Sequence, residues 1–156
     1  MKTHSTSSNK GFTLLEILLV IAAIGILAAI VLVAINPNRQ LAQARDAQRR
    51  SDVNTILNAV YQFTIDTNGT LPNNVNTTLR NVISTAGTTT CTAVGGASAV
   101  ADFVNQISPN YLASIPRDPS VASNGCSDYL IQSATGNRIT VSAPRAEIST
   151  PISVTR

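Results

Sequence analysis

The sequence has no tryptophan, one histidine, one methionine and two cysteines in 156 residues. Charged residues make up 12% of it and aromatics 4%. These absences exclude several classes of function. The only histidine, His4, lies in the first ten residues, so no nucleophile–histidine pair is available in the rest of the chain. One histidine and two cysteines are too few for a zinc site. Gly95-Gly96 is isolated and does not form a phosphate-cradling loop. The sequence therefore predicts no enzyme, no cofactor and no metal. A formal charge of +3 is far from the basic footprint of a dedicated nucleic-acid binder. With 44% hydrophobic residues the chain is too apolar for disorder, and its length suits one domain plus an appendage.

The charge that is present is unevenly placed. Both lysines, Lys2 and Lys10, precede Gly11. Beyond Gly11, nine arginines against eight acids leave a charge of +1. The basicity is therefore mostly that of a short N-terminal tail. From Ile17 to Ile35 no side chain is polar, and Asn36-Pro37 ends the run. As a helix at ~1.5 Å per residue this run measures ~28 Å, close to the ~30 Å hydrocarbon core of a bilayer. A core helix of a globular protein would show a polar face over such a length. A cleaved secretory signal fits less well, because its apolar region is shorter, although Ala28, Ala29 and Ala34 resemble a small-residue cleavage site. Counting Lys2 and Lys10 against Arg39, Arg45, Arg49 and Arg50 places the C-terminal side in the cytoplasm. The two cysteines and the Ser/Thr/Asn-rich C-terminal part place it outside, and the motif described next favours the latter.

Glu16 puts a carboxylate at the edge of the apolar run. It either reaches the headgroups and the helix N-terminus or awaits a cation. A cut between Gly11 and Phe12 would supply that cation as a new α-amino group, mostly protonated at neutral pH. Paired with Glu16 of a neighbouring subunit, the Phe12 amine would fix axial register between apolar helices, since an unpaired buried charge costs several kcal/mol. Pairing within one chain is the alternative.

Lys10-Gly11-Phe12-Thr13-Leu14-Leu15-Glu16, followed by the unbroken apolar run, resembles the N-terminus of a type IV prepilin or pseudopilin. Close identity covers residues 10–35, and farther on the resemblance is one of layout. It implies an α+β pilin fold, with a long N-terminal helix packed on a small C-terminal antiparallel sheet. It also implies removal of a leader, residues 1–11, by a prepilin peptidase, N-methylation of Phe12, and Glu16 as the assembly glutamate. The parts would be a transmembrane and filament-core helix over 12–35, its amphipathic continuation over 36–68, and a head over 69–156. The implied function is that of a structural subunit, a homo-oligomer in a helical filament. It would be held in the cytoplasmic membrane by a single span as a precursor, then placed on the cell surface by pilus assembly or secretion machinery for adhesion, motility or DNA uptake. The alternatives are a pseudopilin of a type II secretion system and a binding domain with an uncleaved anchor.

Leu41, Ala44, Ala47, Val53, Ile56, Leu57, Val60 and Phe63 recur at helical spacing and predict the amphipathic half, ended by Asn68-Gly69 and Pro72. Arg45, Asp46, Arg49, Arg50 and Asp52 fall largely on the other faces, with Asp46 and Arg50 spaced as an i,i+4 pair. Pro37 should kink one helix running from Phe12 to Asn68. Gly25 is a second weak point, so the segment between Gly25 and Pro37 is expected to unwind partly in a filament. Arg39, Arg45, Arg49 and Arg50 invite a reading as phosphate contacts for DNA. No aromatics interleave with them, so a charged face for subunits or lipid headgroups is preferred.

In the head, Val75–Ile83 predicts a short helix with Leu79, Val82 and Ile83 inward, and residues 102–107 a second helical turn. Residues 87–101 read as loop. Asp128–Ala134 and Arg138–Ala143 predict a hairpin around Thr135-Gly136-Asn137, and residues 148–154 an edge strand or a tail. In an exported domain Cys91 and Cys126 most simply form one disulfide; two buried thiols are the alternative. The layout of Tyr111–Pro119 resembles pseudopilins, some of which bind calcium nearby, with Asp118 and Asp128 as candidate ligands. Two carboxylates are few for such a site, and ordinary solvated turn aspartates are preferred. Asn68-Gly69-Thr70 and Asn76-Thr77-Thr78 match the glycosylation pattern, with little weight in so Thr- and Asn-rich a chain.

Overall fold

A computed structural model describes residues 11–88, 90–97, 99–121, 125–148 and 151–156. Lys2, His4 and Lys10 of the expected leader lie outside these residues. The chain divides into two compact units, 1–39 and 40–156.

The first unit carries helix α1, Leu14–Ile35. Thr13 caps its start from an extended conformation, its Oγ1 accepting from the Glu16 backbone N–H at 3.2 Å. None of the helix's 22 residues is buried, and it is long and apolar enough to cross a membrane. It is unbroken through Gly25. It ends at Asn36, whose left-handed backbone (φ 47°) closes the C-terminus. The Asn36 Oδ1 in turn accepts the Arg39 N–H at 3.3 Å, which caps the next helix. The expected kink at Pro37 is therefore a helix boundary instead. Pro37 is the first residue of helix α2, Pro37–Asp66. There its missing N–H has no intrahelical acceptor to lose and its fixed φ suits the first turn.

The second unit is a five-stranded sheet with α2 and a short helix. Its strands are β1 Arg80–Ile83, β2 Val100–Ala101, β3 Cys126–Ala134, β4 Arg138–Ala143 and β5 Ile152–Thr155, in the order β2-β1-β3-β4-β5. The fold is α+β, a long N-terminal helical segment followed by a small sheet. The sheet is mixed rather than antiparallel throughout, because β1 and β2 run parallel. Parallel neighbours need a long connection, which residues 84–99 supply.

Val53, Ile56, Leu57 and Val60 of α2 form the core with Val82, Tyr129, Ile131, Ile139 and Val141 of the sheet. Helix α3, Val104–Ile107, lies within the predicted turn and buries Ile107 beside Phe103. The predicted hairpin is β3–β4, with Gly136 and Asn137 at positive φ in its turn.

The helix expected over Val75–Ile83 is absent. The Asn76 Oδ1 accepts the Thr78 N–H at 2.9 Å, a local turn that competes with a helix. The following residues enter β1, where Asn81, Val82 and Ile83 are all buried. Consecutive β-branched Val82-Ile83 suit a strand covered on both faces better than a helix.

Cys91 and Cys126 are bonded, tying the β1–β2 connection to the start of β3. Gly95 lies where that connection crosses the sheet. A Cβ there would come within 2.7 Å of Leu130 Cδ1 and 2.8 Å of Pro144 Cβ, so only glycine permits the approach.

Candidate functional site

Two places concentrate chemistry: the start of α1 and a buried charge network under α2. At the first, Gly11 and Phe12 precede the cap in non-helical, exposed backbone, and the Phe12 side chain is 80% exposed. The Gly11–Phe12 peptide thus lies outside the helix. Glu16 is the third residue of α1, within its first turn. The spacing Thr13-x-x-Glu16 is that of a capping box, which the sequence signature [ST]-x-x-[DE] before an apolar run marks. The capping role of Thr13 is legible in that signature and not in the Gly11-Phe12 junction. Among the described residues the Glu16 carboxylate has no ion-pair or hydrogen-bond partner. A carboxylate is favoured near the helix N-terminus by ~0.3–1 kcal/mol.

The family model for the prokaryotic N-terminal methylation motif matches residues 6–32. The chain carries a type IV prepilin-like signal. No curated protein and no solved structure matches the chain. The prepilin-like signal supports a type IV pilin-like or pseudopilin precursor, a structural rather than a catalytic class. It implies processing by a prepilin peptidase and assembly into a pilus or secretion system. Together with the apolar α1 it suggests a membrane-anchored precursor.

In the second unit, Arg45, Arg49 and Arg50 do not form one basic face. Arg49 is fully buried. Its Nε and Nη2 donate to the two Asp118 oxygens at 2.7 and 3.0 Å, a bidentate pair. Its Nη1 donates to Asp46 Oδ1 and Glu147 Oε1, each at 2.9 Å, and Nη2 also donates to Ser120 Oγ at 3.0 Å. Arg45 forks onto Glu147 at 2.7 and 2.6 Å. The two Asp46 oxygens also accept the backbone N–H groups of Glu147 and Ile148 at 2.9 and 2.8 Å. One helix face thereby holds two distant segments, 117–121 and 144–148.

This corrects the sequence reading, which put these charges on the outer faces. Asp46, Arg49 and Asp52 are buried because their positions continue the inward stripe of Val53, Ile56 and Val60 at three- and four-residue steps. Ala44 and Ala47 are exposed in their place. The ion pair formed is Asp46–Arg49, not Asp46–Arg50.

Asp118 and Asp128 are likewise not solvated turn residues; both are 2% exposed. Asp118 is neutralised by Arg49. The Asp128 Oδ2 accepts from Arg145 Nε at 2.7 Å and its Oδ1 from Asn81 Nδ2 at 3.3 Å. Asp128 has φ 61°, at the irregularity in the β1–β3 register. Among the described residues no group of three candidate metal ligands occurs. A fourth buried carboxylate, Asp52, accepts from Tyr129 Oη at 2.7 Å and Gln48 Nε2 at 2.7 Å. Burial, and then this hydrogen bond, raise the Tyr129 phenol above its usual range, so it stays a donor.

The network gives acid sensitivity a definite sign. For Asp118, burial alone would raise the pKa, but hydrogen bonds from Arg49 and Ser120 outweigh it and leave the carboxyl lowered from 3.8. Hydrogen bonds from Arg45 and Arg49 hold Glu147 down, from 4.5 to about 2. Groups with a lowered folded pKa bind fewer protons folded than unfolded. Their stabilisation is complete above the unfolded values and is lost as pH falls through the folded ones. The melting temperature of the full chain in detergent, followed by near-ultraviolet circular dichroism, is thus expected to fall as pH drops from 4.5 towards 2. Glu147→Gln should flatten part of that slope; an unchanged slope would refute the assignment to Glu147.

Proposed function

We propose that the chain is a filament subunit of a type IV pilus or a related assembly. In this reading the precursor is cut after Gly11, methylated on the Phe12 amine, and polymerised through α1. What carries the reading is the prepilin-like signal over residues 6–32, which runs into a 22-residue apolar helix with no buried residue. Such a surface is unstable in water and needs lipid or other copies of itself. Side-by-side α1 helices bury that surface, and the Glu16 carboxylate of one subunit meets the Phe12 amine of another. In the filament, the stretch between Gly25 and Pro37 is where the helix yields. The end product is an extracellular or cell-surface fibre serving adhesion, motility or DNA uptake. A short pseudopilin fibre of a type II secretion system is the neighbouring assignment. Abundance in sheared surface filaments separates the two.

The test is the intact mass and N-terminal sequence of the protein purified from cells that make it. The expected product begins at Phe12 and is one methyl group heavier than the unmodified fragment. An intact Met1, or a cut near Ala34, would reject pilin processing.

A further inference from the structure

Among the described residues strand β5 is an edge of the sheet and pairs only with β4. Arg156, just past its end, exchanges both backbone hydrogen bonds with Ile139, at 2.8 and 3.1 Å. In an antiparallel pair such residues alternate with residues whose backbone groups face away. With the register Val141↔Val154 and Ala143↔Ile152, Val154 and Ile152 bond inward, and the N–H and C=O of Ser153 and Thr155 face outward. A residue pair spaced by two is what an added strand would engage.

Beside this edge lies an open groove of about 260 Å³, lined by Arg50 and Asn54 of α2 and by Pro151, Ile152, Ser153 and Val154. Arg50 is exposed. Among the described residues its guanidinium has no acidic or hydrogen-bond partner, unlike that of Arg45 or Arg49; the Asn54 Nδ2 bond at 2.8 Å goes to the Arg50 backbone carbonyl. An outward-facing strand edge thus runs next to an uncompensated cation.

We propose that this groove takes an extended, acidic peptide segment of another protein, which adds a strand to β5 and sets a carboxylate against Arg50. The chemistry selects the occupant. Main-chain pairing with Ser153 and Thr155 requires extended backbone, and the guanidinium requires an anion, best met by a forked carboxylate. A second copy of this chain fits less well. Two β5 edges meeting about a two-fold axis would bring two Arg50 groups to one seam. The opposite edge, β2, is only two residues long, and its Val100 carbonyl already accepts from Arg80 Nη1 at 3.1 Å. This inference is independent of filament formation.

The experiment selects short displayed peptides, randomised at every position, on the full-length chain in detergent. It repeats the selection on Arg50→Glu, whose exposed site should leave the melting temperature unchanged. Alternating strand-type peptides with an Asp or Glu at one fixed position are expected. Their affinity should fall about tenfold or more on Arg50→Glu, the scale of one charge-assisted hydrogen bond, and also on Ser153→Pro, which removes an outward N–H. Replacing the peptide's acid by Lys should restore binding to Arg50→Glu. No enrichment, enrichment without an acid, or binding indifferent to Arg50→Glu would overturn the proposal. So would efficient crosslinking of Ser153→Cys chains to one another, which would assign the edge to self-association.

Discussion

Arg49→Met is expected to lower the stability of the head by about 3–5 kcal/mol, the usual cost of removing one member of a buried charge network. For a unit of this size that is a fall in melting temperature of roughly 10–20 °C. The size follows from what is left behind. Methionine fills much of the same volume, so packing is largely kept. But Asp118 loses both prongs of its fork and Asp46 loses Nη1. Both carboxylates lie at 2–3% exposure, where water cannot replace the guanidinium. Two further variants separate charge from geometry. Arg49→Lys keeps the charge but not the planar fork and should lose less. Arg49→Met with Asp118→Asn removes one orphaned charge and should recover part of the loss. Thermal melts of the full chain in detergent decide it; an Arg49→Met melt within two or three degrees of the unaltered protein would show the network to be ornamental.

How much of this was legible in the sequence depended on the range of the interaction. Local signals carried α1, the β3–β4 hairpin and the pairing of two cysteines. Each rests on residues near one another, or on there being only two candidates. The Arg49 network could not be read in the same way. Its distant partners come from two segments, about seventy and about a hundred residues along the chain from it, and helical periodicity judged by hydropathy assigns charged residues outward. One signal was present: Asp46, Arg49 and Asp52 keep the phase of the apolar stripe. Phase alone, however, does not name the acid that waits on the sheet side. The parallel β1–β2 pair escaped for a related reason, because two residues of strand leave no periodicity to detect.

Glu16→Ala should leave cleavage after Gly11 and the fold of the head intact while reducing filament yield by an order of magnitude or more. The carboxylate has no partner within the described chain, so its removal costs the subunit little beyond a favourable place in the first helical turn. In the proposed bundle it removes the counter-charge for a methylated amine. An unpaired buried cation costs several kcal/mol, and each ~1.4 kcal/mol is a tenfold change in an equilibrium. The prediction is checked by comparing sheared surface material with membrane-retained subunit, alongside the mass of the processed N-terminus. Normal filaments from Glu16→Ala would remove the pairing from the mechanism without touching the processing. Uncleaved protein from Glu16→Ala would instead place the carboxylate in peptidase recognition.

The burial of charge also changes what the head presents to anything that touches it. Four of the eight carboxylates, Asp46, Asp52, Asp118 and Asp128, lie beneath the surface, whereas among the nine arginines only Arg49 does. A titration of the whole molecule past Gly11 would report a nearly balanced polymer, with eight acids against nine arginines. A neighbour at contact distance meets a different object, because guanidinium groups outnumber carboxylates on the outside by about two to one. The chain past Gly11 is thus close to neutral when viewed from several Debye lengths away and cationic in the first few ångströms.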